Sequence, residues 1–267
     1  MKKALAFLLR DLIEAASYKL AFVMQLAGIF FSVLTFYFLS QLFGQGVSPY
    51  LKPYGGDYFA FVLIGIAFAN YLGVALRSFS SQIRTAQVMG TLEAMLVTQT
   101  EIPTIILSSS LYSFIFTSFQ VVIYLLLGSL LFGVNMGQAN LVAALLILLL
   151  TIISFSAIGI ISASFVMVFK RGDPLAWLFG SASILFGGVY YPIAILPGWL
   201  EKVAYLLTIT YSLEGMRLAL LKGHSLNALL PNLLALSIFT LVLLPLSIMS
   251  FQWAVRKAKL QGTLTHY

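Results

Sequence analysis

Side chains able to make or break bonds are scarce in this sequence. It has no cysteine, which leaves no thiolate nucleophile, disulfide framework or cysteine-held metal. Its two histidines, His224 and His266, stand alone and match no metal-ligand spacing. No Gly-x-x-x-x-Gly-Lys-Ser/Thr loop occurs, so any ATPase working with the chain must be a separate polypeptide. What remains is uncharged polar chemistry. Asn70, near aromatic Phe68 and Tyr71, sits deep in an apolar stretch, and Gln25, Gln120, Ser108, Ser109, Ser110, Ser113 and Ser118 occupy others. Such groups either hydrogen-bond between helices or line a path. Packing is the expectation for most of them, and Asn70 is singled out for a path.

Two clusters lie outside the apolar stretches. Glu214 and Arg217 are three residues apart and can pair on one helical face, tying an outer segment together. Between Gln87 and Thr98 an apolar-polar mixture too short to cross a membrane reads as a short helix. There Leu92, Met95 and Leu96 share a face, Glu93 points elsewhere, and Gly90 serves the turn before it. A compact, partly apolar surface helix suits docking of a soluble partner. A helix touching only lipid headgroups is the alternative on spacing alone.

The elements that must hold these groups follow from composition. Of 267 residues, 61% are hydrophobic and 9% charged, which excludes a water-soluble globule. The net charge of +7 invites a nucleic-acid reading, but with so few charges their placement decides, and no nucleic-acid partner is expected. Six stretches free of Lys, Arg, Asp and Glu reach the length of a crossing: 20–43, 58–76, 104–133, 141–169, 175–196 and 228–255. None alternates with the dyad period of a barrel strand. The fold class expected is an all-α integral membrane protein with six transmembrane helices.

Lys and Arg fix the expected orientation. Eleven fall on the side that holds both termini and four on the other, which places both ends in the cytoplasm. Residues 1–18 show charged positions at near-helical spacing over a broad apolar face and read as an interfacial helix, an ordinary polar lead-in being the alternative. Asp173-Pro174 supplies an N-cap and a first-turn proline before the fifth stretch. Residues 44–57 and 134–140 read as connectors. The long outer connection holds two apolar pieces, 199–207 and 211–221, too short and too charged to cross, so 197–223 is expected to be re-entrant or interfacial. Small residues recur every four positions at Gly65, Ala69 and Gly73, at Gly159 and Ala163, and at Ser183 and Gly187, which favours close helix packing.

In this arrangement the sequence resembles the type-2 permeases of ATP-binding cassette (ABC) exporters over nearly its whole length. Gly90-Thr91-Leu92-Glu93, followed by Leu96 and Thr98, is similar to the family's coupling helix, here 87–98. Gly187-Gly188-Val189-Tyr190-Tyr191-Pro192 through Leu196-Pro197-Gly198-Trp199-Leu200, then Thr210-Tyr211 and Met216-Arg217 through Leu221-Lys222-Gly223, resembles the family's motif around its last two spans. The importers' Glu-Ala-Ala…Gly loop is not reproduced, since Met95 and Val97 stand where Ala and Gly are needed, which favours export.

The resemblance implies that Gly90, Thr91, Leu92, Glu93, Leu96 and Thr98 engage an ATP-binding subunit. It implies that the second and fifth spans line a cargo path, through Phe68, Asn70 and Tyr71 on one and Phe179, Ser183 and Phe186 on the other. Tyr190, Tyr191, Pro192, Pro197, Glu214 and Arg217 then belong to an outer gate. The implied partners are two cytoplasmic ATP-binding cassette subunits, a second permease copy in a homodimer, and membrane lipids in the cytoplasmic membrane. No cofactor is expected on this chain, ATP and Mg lying on the partner. Such a path is apolar, aromatic and uncharged, and the cargo expected is amphiphilic: a drug, a lipid or a lipid-linked molecule. A polysaccharide or lipid-linked glycan exporter is the alternative, and a channel or non-transporting accessory subunit the rival from another class. A lipid-modifying enzyme would need acidic or histidine residues at depth.

Overall fold

The computed structural model describes residue 13 and residues 18–88, 102–169 and 172–260. All its long elements are helical: α1 (Lys19–Leu51), α2 (Tyr58–Val88), α3 (Ile102–Phe132), α4 (Leu141–Phe169), α5 (Pro174–Phe186), α6 (Gly198–Ala204), α7 (Thr208–Lys222) and α8 (Leu230–Leu260). Five of them, α1, α2, α3, α4 and α8, are long and apolar enough to cross a membrane. The predicted interfacial helix falls almost wholly outside the described residues. So do Gly90, Thr91, Leu92, Glu93, Leu96 and Thr98 of the predicted coupling helix.

α2 is the centre of the bundle. In its apolar window 78% of residues are buried, against 11% in those of α1 and α8, and it touches α1, α3, α4, α5 and α7. Its start is capped by Asp57, whose carboxylate accepts the Phe59 amide at 2.8 Å. Small residues let its neighbours come close. A Cβ on Gly159 of α4 would run into the carbonyl of Ala75, and one on Gly128 of α3 into Leu63. Hydroxyl pairs tie the other helices: Thr151 to Ser212 between α4 and α7, and Ser154 to Thr240 between α4 and α8, each at 2.7 Å.

Two predicted boundaries move. α1 continues beyond residue 43 to Leu51, through Pro49, so the predicted connector shrinks to a 3-10 turn at Lys52–Tyr54 and two glycines. Leu51 is fully buried and anchors the extra turns, and Gly55 and Gly56 take the positive φ that ends them. The stretch predicted as one helix over 175–196 breaks after Phe186. Asp173 caps its start as expected, accepting the Ala176 amide at 2.9 Å ahead of Pro174. It stops because Gly188 adopts φ +79° and the chain then runs extended into Pro192 and a 3-10 turn at Ile193–Ile195. The resulting helix has 13 residues, about 20 Å long at 1.5 Å per residue.

The two apolar pieces of the connection before α8 form α6 and α7, both too short to span. α7 is nonetheless buried along Thr208, Ile209, Leu213, Met216, Arg217 and Leu220, wedged against α4, α8 and α2. Its C-terminus closes on Gly223, at φ +63°, where a side chain would strike the carbonyl of Gln138. Asn140 completes that joint. Its amide side chain donates to the His224 carbonyl at 3.0 Å while its Oδ1 caps α4 at Ala143. The turn between α3 and α4 is thereby fastened to the end of α7.

Candidate functional site

One face of α2 opens onto a cavity of about 640 Å³, within the size range of small-molecule sites. Ile66, Ala69, Asn70, Gly73, Val74, Arg77, Ser78 and Ser81 line it from α2, at helical intervals of three and four residues. That stripe extends about 22 Å along the axis at 1.5 Å per residue, most of a hydrocarbon core. Opposite stand Gln25, Ser32 and Phe36 of α1, Ser113, Gln120 and Tyr124 of α3, and Ile184 of α5. Val189 and Tyr190, from the turn after α5, complete one end. The ring of Tyr190 stacks on Phe36 with centroids 5.5 Å apart and planes at 14°.

Asn70 faces this cavity, as singled out from the sequence, together with Gln25, Gln120 and Ser113. Its neighbours do not. Phe68 and Tyr71 are 4% and 1% exposed in the core, and the Tyr71 hydroxyl donates to Ser118 at 2.7 Å, joining α2 to α3. Successive residues on a helix point 100° apart, which sends the two rings away from the Asn70 face. Phe179 and Ser183 line a separate apolar gap of about 120 Å³ among α4, α5, α7 and α8, and Phe186 lines neither. Arg77 and several hydroxyls share the cavity wall with the apolar residues. The spacing 70, 77, 78, 81 was the available signal.

The small-residue stripe divides in two. Gly65 is a packing position: a Cβ there would overlap the Val189 carbonyl and lie 2.7 Å from Nη2 of Arg217. A Cβ on Gly73 would meet nothing within 4 Å, so Gly73 and Ala69 leave room for the cavity.

Arg217 and Glu214 do not pair with each other. Arg217 is 3% exposed. It donates through Nε to the Phe61 carbonyl and through Nη2 to the Val189 carbonyl, both at 3.1 Å, and lies over the Phe61 ring. Its Nη groups thus reach across from α7 to the turn that carries Tyr190. Burial pushes its pKa down to about 9, against partial support from Tyr54 and Glu214, and it keeps its charge at neutral pH. Glu214 turns toward α8 and accepts from Asn232 at 3.4 Å. Desolvation raises its pKa, with the Asn232 hydrogen bond and Arg217 acting the other way.

The remaining gate candidates separate by contact. The Tyr191 hydroxyl donates to the Leu185 carbonyl at the end of α5. Pro192 starts the following 3-10 turn and Pro197 caps α6. Of the predicted gate residues, Tyr190 therefore bounds the cavity, and Arg217 holds the backbone next to it.

Among the described residues no group of three or more His, Cys, Asp or Glu side chains suits a metal ion. The ABC-2 type transporter family matches residues 8–221 of the 267. No curated protein matches the chain. With its match covering residues 8–221, which include the cavity lining and nearly all of α7, and with five apolar helices of crossing length, the chain belongs to the ABC-2 type transporter family, as a multi-pass membrane permease.

Proposed function

We propose that this chain is the membrane subunit of an ATP-driven exporter that moves an amphiphilic cargo through a path to which the α2 cavity contributes. The family supplies membrane subunits without a nucleotide-binding domain, and so calls for an ABC ATP-binding partner. The observation carrying the cargo reading is the continuous stripe from Ile66 to Ser81, where polar and apolar side chains alternate along one groove. A lipid-like molecule needs both kinds of contact, for its head and its chain.

In this proposal two copies of the chain and two cytoplasmic ATP-binding subunits form the working unit, in the cytoplasmic membrane with both termini inside. Residues 90–98 follow the end of α2 after one intervening residue along the sequence, and α2 is a single helix about 46 Å long at 1.5 Å per residue. Force applied by the ATPase at Glu93 and its neighbours reaches the cavity wall through that rigid rod. Six crossings are completed by α5 with the extended chain after it, and 197–223 stays on the outer side. The stacked pair Phe36 and Tyr190 forms the outer gate, held in register by Arg217 through Val189. Opening requires differential binding of the ATPase to the two states.

Export of a lipid-linked glycan is a second reading. It is favoured by the free amides of Gln25, Asn70 and Gln120 beside the Phe36–Tyr190 stack, since sugars use hydrogen bonds and aromatic faces. Gentle purification of the tagged chain, with mass spectrometry and an ATPase assay, tests the shared claim. A soluble subunit with a phosphate-binding loop should arrive at one copy per permease and hydrolyse ATP. A chain that comes alone and inert after crosslinking would assign it to the channel or accessory class.

A further inference from the structure

Resting on the cargo-path reading of the α2 cavity, we infer that the cavity takes amphiphiles with an anionic headgroup, anchored by Arg77. Among the described residues the lining carries one formal charge, that of Arg77, and no carboxylate. The Arg77 side chain is exposed on the wall and makes no ion pair among the described residues. In a partly apolar groove such a cation attracts an anion far more strongly than in water. A guanidinium also offers a planar fork that matches two oxygens of a phosphate, sulfate or carboxylate.

A second observation points to the same ligand. The side chains of Gln25, Asn70 and Gln120 make no hydrogen bond to the protein among the described residues, and the Ser78 Oγ is buried without a partner. Ser78 is 9% exposed and adjoins Arg77 on the cavity wall. Unmet donors in a membrane groove are costly unless something occupies them. Asn70 lies two helical turns from Arg77, about 10 Å along α2 at 1.5 Å per residue. A headgroup held at Arg77 and Ser78 thus extends its polar linker toward Asn70, and its chain runs on past Val74, Ile66 and Ile184 to the stacked rings. A cationic amphiphile meets only repulsion at Arg77. A neutral one satisfies the amides and leaves the guanidinium bare.

The test uses the purified full-length chain in nonionic detergent with two fluorescent probes of identical tails, one a phosphatidylglycerol and one an uncharged diacylglycerol. Binding of the anionic probe should be about tenfold tighter, the worth of one charge-assisted hydrogen-bonded pair. Arg77→Gln should remove that preference and leave the uncharged probe unchanged, whereas Arg77→Lys should keep most of it. Arg256→Gln, an exposed cation on α8 outside the cavity, should change nothing, and an equal fall there would assign the preference to surface charge and overturn the inference. Gly73→Leu, which fills open space, should weaken both probes. If it does so while Arg77→Gln alters neither, the anion inference fails and the path reading stands. If Gly73→Leu leaves both probes bound, the path reading fails with it. Displacement of the anionic probe by millimolar inorganic phosphate through Arg77 would assign the site to the free anion and overturn the amphiphile.

Discussion

Arg217 of α7 and Phe61 of α2 are joined twice. The guanidinium carbon stands 3.4 Å from the centroid of the Phe61 ring, and Nε donates to that residue's own carbonyl at 3.1 Å. Its third attachment, to the Val189 carbonyl, brings the turn after α5 to the same point. A buried cation satisfied by two carbonyls and a ring face, with no carboxylate bonded to it among the described residues, is an expensive way to hold a fold. It yields a fixed position for Tyr190, the next residue along, and hence for the end of the cavity.

That arrangement makes Arg217 irreplaceable by charge alone. Arg217→Gln should destabilise the chain by about 3 kcal/mol, since it leaves buried carbonyls unpaired. Arg217→Lys should recover only a minor part, because one ammonium cannot reach both carbonyls in a plane. Thermal unfolding in detergent measures both, and a lysine variant as stable as wild type would show that charge suffices.

Gly65 and Gly73 look alike in sequence and should behave oppositely. Gly65→Ala places a methyl group against the Val189 carbonyl and Arg217, which cannot withdraw without breaking their hydrogen bond. Overpacking of this kind costs about 1–3 kcal/mol. Gly73→Ala meets open space and exchanges a poor helix former for the best, so it should be neutral or stabilising by up to about 1 kcal/mol. Equal melting temperatures for the two variants would contradict this division.

Glu214 gives a pH signature. Burial raises its carboxyl above the usual value near 4.5, so from there upward the folded chain retains a proton that the unfolded chain has released. Its contribution to stability is present at acid pH and is lost as pH rises through the raised value. Glu214→Gln, which can still accept from Asn232, should flatten the pH dependence of melting above 4.5 and stabilise the chain relative to wild type at neutral pH. Parallel wild-type and variant profiles would exclude this carboxyl as the titrating group.

Glu93→Arg addresses coupling. The substitution should leave membrane insertion and folding intact while ATP hydrolysis by the partner proceeds without transport. Transport at the wild-type rate would remove Glu93 from the mechanism.

What could be read beforehand was local. Asp173-Pro174 announced the start of α5, the absence of charge announced the crossing helices, and Asn70 stood out as a polar group that needed a reason. The misassignments have a common origin in partners distant along the chain. Nothing near Arg217 in sequence reveals that its acceptors lie 156 and 28 residues away, so the nearby Glu214 looked like its mate. Adjacency sets Phe68 and Tyr71 beside Asn70 in sequence, although a helix turns adjacent residues apart. Arg77 signals orientation by its charge, and its spacing from Asn70 also places it on the cavity wall. Composition alone does not reveal that Gly187-Gly188 ends a helix whose flanks stay apolar.

The proposed role of the α2 cavity as the cargo path of an ATP-driven exporter is open to a direct test, because the sequence has no cysteine. A single Asn70→Cys can be labelled with a membrane-impermeant maleimide in the complex purified with its ATP-binding partner, with Phe68→Cys as the buried reference. Cys at 70 should react readily without nucleotide, change its rate severalfold when a non-hydrolysable ATP analogue binds, and be shielded by Gly73→Leu. A residue 70 thiol as unreactive as that at 68, or one whose rate ignores nucleotide, would contradict the account.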